Sequence, residues 1–170
     1  MQIATTERLI LRELEERDAP FIMELLNEPA WIRFIGNRGI KNVDDARGYI
    51  VKGPVAMYAN KGFGLWLVER ASDLMPLGIC GLIKRDSLED VDIGFAFLER
   101  FWGKGYASEA GEATMAIGRE HFALKRIVGI TSPDNVASIT LLEKLGLTRE
   151  KVVKLDDGHD ETVVFGWNAA

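Results

Sequence analysis

The stretch Leu98-Glu99-Arg100-Phe101-Trp102-Gly103-Lys104-Gly105-Tyr106-Ala107-Ser108-Glu109-Ala110 carries the residue types and spacing best suited to chemistry. An apolar run ends there, two glycines bracket a lysine, and an amphipathic pattern begins. Glycines permit a tight bend whose main-chain N–H groups point the same way. A helix start adds N–H donors without intrahelical partners and the positive end of a dipole. Together these make an anion pocket suited to a diphosphate. Arg100 and Lys104 add positive charge at its rim. A Walker A loop has a different Gly-Lys-Ser/Thr spacing, which is absent. A dinucleotide fingerprint needs a third glycine where Ser108 stands, and it normally opens a doubly wound domain. The third candidate is the diphosphate of coenzyme A.

The elements that must position this bend are readable from periodicity. Glu7–Leu14 reads as a strand, and Asp18 as the N-cap of a helix carrying Ala19, Ile22, Leu25 and Leu26. Residues 28–42 read as a long irregular connection. Helices are expected over Asp44–Val51 and Val55–Asn60. Gly62–Arg70, Leu77–Lys84 and Asp90–Leu98 read as strands joined by turns too short for parallel crossovers, hence antiparallel. Gly105–Phe122 is a long amphipathic helix with Ala107, Ala110, Thr114, Ile117, Gly118 and His121 on one stripe. Arg126–Thr131 is a buried strand and Asn135–Leu145 a further helix. Two strands, Thr148–Leu155 and Thr162–Trp167, close the chain around an Asp157-Gly158 turn. The unit from Asp90 to Thr131 is strand, helix, strand, so its two strands should run parallel. The expected class is α+β: a mixed, mostly antiparallel sheet with helices on its faces, as a single domain over residues 1–170.

Composition narrows the function. The chain has 170 residues, 21 basic against 26 acidic, for a net charge of −5. An acidic surface disfavours broad nucleic-acid binding and favours a cationic partner such as an amine. The single Cys80 excludes an internal disulfide and a cysteine-based zinc site, and His121 and His159 lack metal-ligand spacing, so no metal is expected. The Asp156-Asp157-Gly158-His159-Asp160 run reads as a solvated hairpin tip. The N-terminus has no signal-peptide pattern and no apolar run is long enough to span a bilayer, so the expectation is a cytoplasmic protein without membrane contact.

Three segments in order resemble the GNAT acyl-CoA N-acyltransferases, and in particular their RimJ/RimL-like branch. Arg100-x-x-Gly103-x-Gly105, within FWGKGYASEA, is similar to the family's Arg/Gln-x-x-Gly-x-Gly/Ala signature. Thr6-Glu7-Arg8-Leu9-Ile10-Leu11-Arg12 resembles the branch's opening strand. Asn135-Val136-Ala137-Ser138 with Leu142-Glu143-Lys144-Leu145-Gly146-Leu147 resembles the segment that closes the cofactor site. The resemblance covers about Thr6 to Trp167. It implies a sheet whose central strands, here Asp90–Leu98 and Arg126–Thr131, splay in a V that holds acetyl-CoA. The pantetheine would pair with main chain near Ala96, Phe97 and Leu98, the diphosphate would take N–H groups from Gly103, Lys104, Gly105, Tyr106, Ala107 and Ser108, and Asn135 would face the cofactor. The acceptor mouth would be formed by Trp31 to Arg38 and the final hairpin, with Trp31, Phe34 and Arg38 as the acceptor-binding candidates. The implied activity is acetyl transfer to a primary amine, with a protein or peptide N-terminus preferred over a small amine. A non-catalytic acyl-CoA-binding module is the alternative of another class. A monomer or a homodimer is compatible with the strand edges.

Such a reaction needs a base for the amine, polarisation of the thioester carbonyl, and a proton for the departing thiolate. Asp92 is the candidate base. It is a carboxylate in an apolar strand, on the face of Gly94 and Ala96, where burial would raise its pKa. The alternative is a solvated carboxylate at the strand's frayed start. For the acid, many family members use a tyrosine where Leu142 stands here, which leaves Ser138 as the candidate. Glu109, in the first turn of its helix, reads as structural support.

Overall fold

The computed structural model describes residues 1–154 and 161–170. The expected Asp157-Gly158 turn and the acidic run around His159 lie outside the described residues. Alternating and β-branched runs form eight strands of one sheet: β1 (Gln2–Thr5), β2 (Leu9–Glu13), β3 (Leu65–Arg70), β4 (Pro76–Ile83), β5 (Asp92–Phe97), β6 (Arg126–Thr131), β7 (Thr148–Lys154) and β8 (Glu161–Asn168). Their spatial order is β1-β2-β3-β4-β5-β6-β8-β7. Neighbouring strands are antiparallel except β5 and β6, which are parallel as the strand–helix–strand reading requires.

That one parallel junction is where the sheet opens. Its register contains a single pair, Asp92 opposite Val128. Val128 N–H donates to the Val91 carbonyl at 2.9 Å. Beyond this point the two strands form the arms of a V.

The helices are α1 (Ala19–Leu26), α2 (Pro29–Phe34), α3 (Val43–Ile50), α4 (Ala56–Lys61), α5 (Tyr106–Ala116) and α6 (Val136–Lys144). A wide π-helical turn, Val51–Val55, links α3 to α4 and accommodates Pro54, which cannot donate a ladder bond. A second such turn, Ile117–His121, ends α5. One sheet face packs Trp66, Val68, Cys80, Leu82 and Ile93 against Tyr106, Ala110 and Met115 of α5. The other packs Leu67 and Ile79 against Ile22, Leu25 and Ile50 of α1 and α3.

Several sequence expectations are corrected. The connection over 28–42 contains α2, because Pro29 at the first helical position presets its turn. β1 was not expected: four mixed residues carry no alternation, and pairing with β2 alone makes them a strand. Asp18 is the N-cap residue of α1 as expected, but its side chain makes no cap bond. It receives two bonds from Arg12, at 2.8 and 2.9 Å, while Arg12 also reaches Glu69. His121 is exposed rather than on the buried stripe, because the wide turn after Ala116 shifts the phase.

Candidate active site

The V opens into a cavity of about 1380 Å³. Its walls are α2, β5, the Trp102–Ser108 bend, the end of β6 and the start of α6. The bend has the conformation its glycines predict. Gly103 and Gly105 sit at φ +74° and +81°, a region costly for any residue with a side chain. Gly105 is the N-cap of α5 and supplies no side chain to cap it. Among the described residues, the main-chain N–H groups of 103–108 have no protein acceptor. They form a row of donors at a helix start, the arrangement that holds an anion.

Side chains from the connection between β1 and β2 hold this bend. Arg8 Nη1 donates to the Lys104 carbonyl at 2.9 Å, its Nε to Glu109 at 2.7 Å, and its guanidinium lies 4.6 Å from the Tyr106 ring centroid. Thr6 Oγ1 and the Arg8 main-chain N–H donate to the other Glu109 oxygen. Burial acts to raise the Glu109 pKa, but the bonds from Thr6 and Arg8 outweigh it and hold the group below the ordinary carboxylate range. Glu109 thus clamps α5 to the connection between β1 and β2. Sequence reasoning gave Glu109 a structural role but did not single out Arg8, whose partners are about a hundred residues away.

The V arms offer unpaired main chain. Register with β4 turns the N–H and C=O groups of Ala96 and Leu98 toward that strand, and Leu98 N–H donates to the Leu77 carbonyl at 3.0 Å. Phe95 and Phe97 therefore face the cleft with their main chain. The Phe97 carbonyl already accepts from Trp102 Nε1 at 2.8 Å, which folds the half-exposed indole across the end of β5. Ala96 lines the cavity through its side chain, whereas Leu98 is buried in the core. Arg100 pairs with Glu24 at 2.9 Å and, like Lys104, is not among the cavity-lining residues. Asn135 caps α6 by accepting from the Ser138 N–H at 3.3 Å, and both residues line the cavity.

Asp92 stands at the fork of the V, where β5 and β6 last touch, and its residue is 0% exposed. It lines the cavity together with Gly94 and Ala96. A Cβ at Gly94 would stand 2.9 Å from Ile83 Cδ1 and 3.3 Å from Leu65 Cδ2, so the glycine leaves room beside the carboxylate that those side chains would otherwise have to yield. Burial pushes the Asp92 pKa up to about 6 against the opposing pull of Arg85. Arg85 Nε lies 3.2 and 3.3 Å from its two oxygens. The alternative of a solvated Asp92 is thereby set aside. Arg85 has no sequence signal: it sits in a turn, and only the register Ile83–Asp92 brings it to the base.

Trp31, Phe34, Arg38 and Tyr49 line the same cavity from α2, the connection after it, and α3. Leu142 is buried against Gly129 of β6, where its Cδ2 fills the place a Cβ would occupy. Cys80 is buried beside Thr114 at 3.3 Å, and burial pushes its thiol up to about 12. Among the described residues, no group of three or more His, Cys, Asp or Glu side chains is placed to hold a metal ion. Among them, too, no helix is long and apolar enough to cross a membrane.

Residues 8–148 match the family model for the acetyltransferase (GNAT) domain. The chain belongs to the GNAT family and is an acetyltransferase. Its relatives include the uncharacterized protein YkkB of Bacillus subtilis, 30% identical over 154 residues that span 88% of this chain and 87% of YkkB. Among solved structures, a GNAT-family acetyltransferase from Bacillus anthracis superposes with a TM-score of 0.80 at 25% identity, covering 99% of this chain and 98% of that one. RimL, a ribosomal L7/L12 alpha-N-protein acetyltransferase in complex with coenzyme A, shares the fold with a TM-score of 0.84 at 18% identity, covering 99% and 98%.

Proposed function

We propose that this enzyme moves the acetyl group of acetyl-CoA onto a primary amine, by direct attack in a ternary complex, and that the amine is the N-terminus of a protein or peptide. The observation that carries the reading is one continuous cavity with unpaired main-chain donors at one end and a buried carboxylate at the fork. The residues fit the cofactor: Gly103 to Ser108 would hold its diphosphate, and the Phe95 and Phe97 edge its pantetheine. Acetyl-CoA would supply an activated thioester at the fork. Asp92 would accept the proton that the attacking amine must lose, an assignment worth on the order of 10²–10⁴ in rate for a general base. Ser138, in the first turn of α6, would donate toward the departing sulfur. Trp31, Phe34 and Arg38 would line the acceptor's approach. The shared fold with RimL, whose named acceptor is a protein α-amine, supports the N-terminal preference.

The test is thiol release from acetyl-CoA over a panel of peptides with free N-termini, polyamines, amino acids and amine-bearing antibiotics, with mass spectrometry locating the acetyl group. Acetylation of peptide α-amines is expected. Turnover confined to free small amines overturns the acceptor assignment, and no turnover with any amine overturns the acetyl-transfer reading.

A further inference from the structure

Arg85 is only half used by the base it holds. Its Nε spans both Asp92 oxygens, at 3.2 and 3.3 Å. Among the described residues, Nη1 and Nη2 make no hydrogen bond, although Arg85 lines the cavity with 34% of its side chain exposed. A guanidinium is a planar fork of five donors, and its free edge matches a carboxylate with two parallel bonds. The surroundings favour an anion there. Trp31 is 6% exposed and lines the same cavity, and its buried indole N–H has no acceptor among the described residues. Arg38 lines it too and, among the described residues, forms no ion pair. Tyr49 lies within electrostatic reach of both Arg38 and Arg85. The nearby carboxylates are committed elsewhere: Glu28 accepts from the Glu99 N–H at 2.6 Å, and Asp134 pairs with Arg33 at 3.5 Å. Glu161 lines the cavity from the exposed start of β8.

We propose that the free edge of Arg85 is a carboxylate subsite for the acceptor, so that one guanidinium orients the base through Nε and seats the acceptor's anionic group through Nη1 and Nη2. This rests on the acetyl-transfer reading above, but not on its choice of a peptide N-terminus over a small amine, and narrows the acceptor to one with a carboxylate near its amine. The amine must come within hydrogen-bond reach of Asp92, about 3 Å. The acceptor carboxylate must come within a similar distance of Nη1 or Nη2. Both groups therefore sit within a few bonds of each other. The carboxylate is either that of a free α-amino acid or the side chain of an acidic first residue of a peptide. Arg85 is in this account a positioning residue for Asp92 and a specificity residue for the acceptor.

The experiment is calorimetric titration of the CoA-loaded protein, at pH 8, with two matched pairs: Asp-Ala-Ala amide against Asn-Ala-Ala amide, and alanine against alanine amide. The acidic member of at least one pair should bind roughly 10- to 100-fold more tightly, the range expected for hydrogen bonds to a charged group. Arg85→Gln should bring that ratio to near one with CoA affinity unchanged. Arg85→Lys, which keeps the charge without the fork, should fall between and guards against a folding defect in the first variant. Preference within the peptide pair places the carboxylate on the side chain; preference within the alanine pair alone places it on the α-carbon. Equal binding within both pairs, no binding of any probe, or a ratio that survives Arg85→Gln overturns the subsite. Thiol release measured alongside separates the two readings. Discrimination without turnover refutes the transfer reading alone, and turnover without discrimination refutes the subsite alone.

Discussion

Replacing Asp92 with Asn should stabilise the protein at neutral pH while removing most of its activity. The carboxyl is fully buried, and its pKa stands at about 6 against an ordinary 3.8. At 1.36 kcal/mol per unit, holding it ionised costs the native state on the order of 3 kcal/mol above pH 6. The sign follows from proton counting. Between about pH 4 and 6 the native state binds the proton that the unfolded chain has released, so stability falls as pH rises through that window. Asparagine is nearly isosteric and carries no charge, so the variant loses this dependence. The pull of Arg85 is already contained in the pKa of about 6, so losing the pair subtracts nothing further. Urea unfolding at pH 5 and pH 8 reads the effect as a shift in midpoint at constant slope. The native enzyme should lose stability between the two, and Asp92→Asn should lose less and be the more stable at pH 8. In the same preparations kcat/KM of the native enzyme should rise with pH and level off above about 6, where the base is free. The variant should retain about 1% or less of the native rate. A variant that is less stable than the native protein at pH 8, or that turns over at the native rate, refutes the reasoning.

Other expected outcomes are as follows. Gly105→Val should weaken CoA binding at least about 10-fold by calorimetry, because valine resists φ +81° and its Cβ would stand 3.3 Å from Arg8 Nη2. Gly103→Ala, with open space around its Cβ, should cost only the backbone strain, about 1 kcal/mol by urea unfolding. Saturating CoA at 100 times its Kd should add about 2.7 kcal/mol to stability, since the ligand fills main-chain groups that the V leaves unpaired; an unshifted melting temperature would count against the bend as its site. Arg12→Ala strands the two carboxylates of Asp18 and Glu69, both largely buried, and should cost about 3–5 kcal/mol with little effect on CoA affinity. Ser138→Ala should slow transfer by less than the Asp92 substitution does, and unchanged kinetics would remove Ser138 from proton delivery.

How far the fold and the site could be read from residues alone differs from element to element. β3, β4 and β5 were legible because apolar runs bounded by turns have few alternatives at those lengths. The bend at Gly103 and Gly105 was legible because only glycine takes those positive φ values cheaply, and two of them before a helical pattern leave little choice. β1 and α2 were not legible, since four mixed residues become a strand only by pairing and Pro29 starts a helix only where the chain must turn back. Asp92 was visible as an anomaly, a carboxylate among apolar neighbours, but its burial was not. That depends on β6 arriving beside it at Val128, thirty-odd residues later.

Taken alone, the order of residues determined the antiparallel-then-parallel sheet and the bend with its unpaired amides, because these follow from local backbone preference and short-range pattern, and its three motifs carried the resemblance to the family. The tertiary structure decided what contacts distant in sequence create. It brought Arg8, Thr6 and Glu109 together behind the bend, set Arg85 on the base, turned the main chain of Phe95 and Phe97 rather than Ala96 and Leu98 into the cleft, and drew Arg100 away to Glu24. Each of these depends on strand register or helix placement. A one-residue slip in register reverses which groups face the cleft, and the register is held by burial of the sheet faces, which only the folded molecule creates.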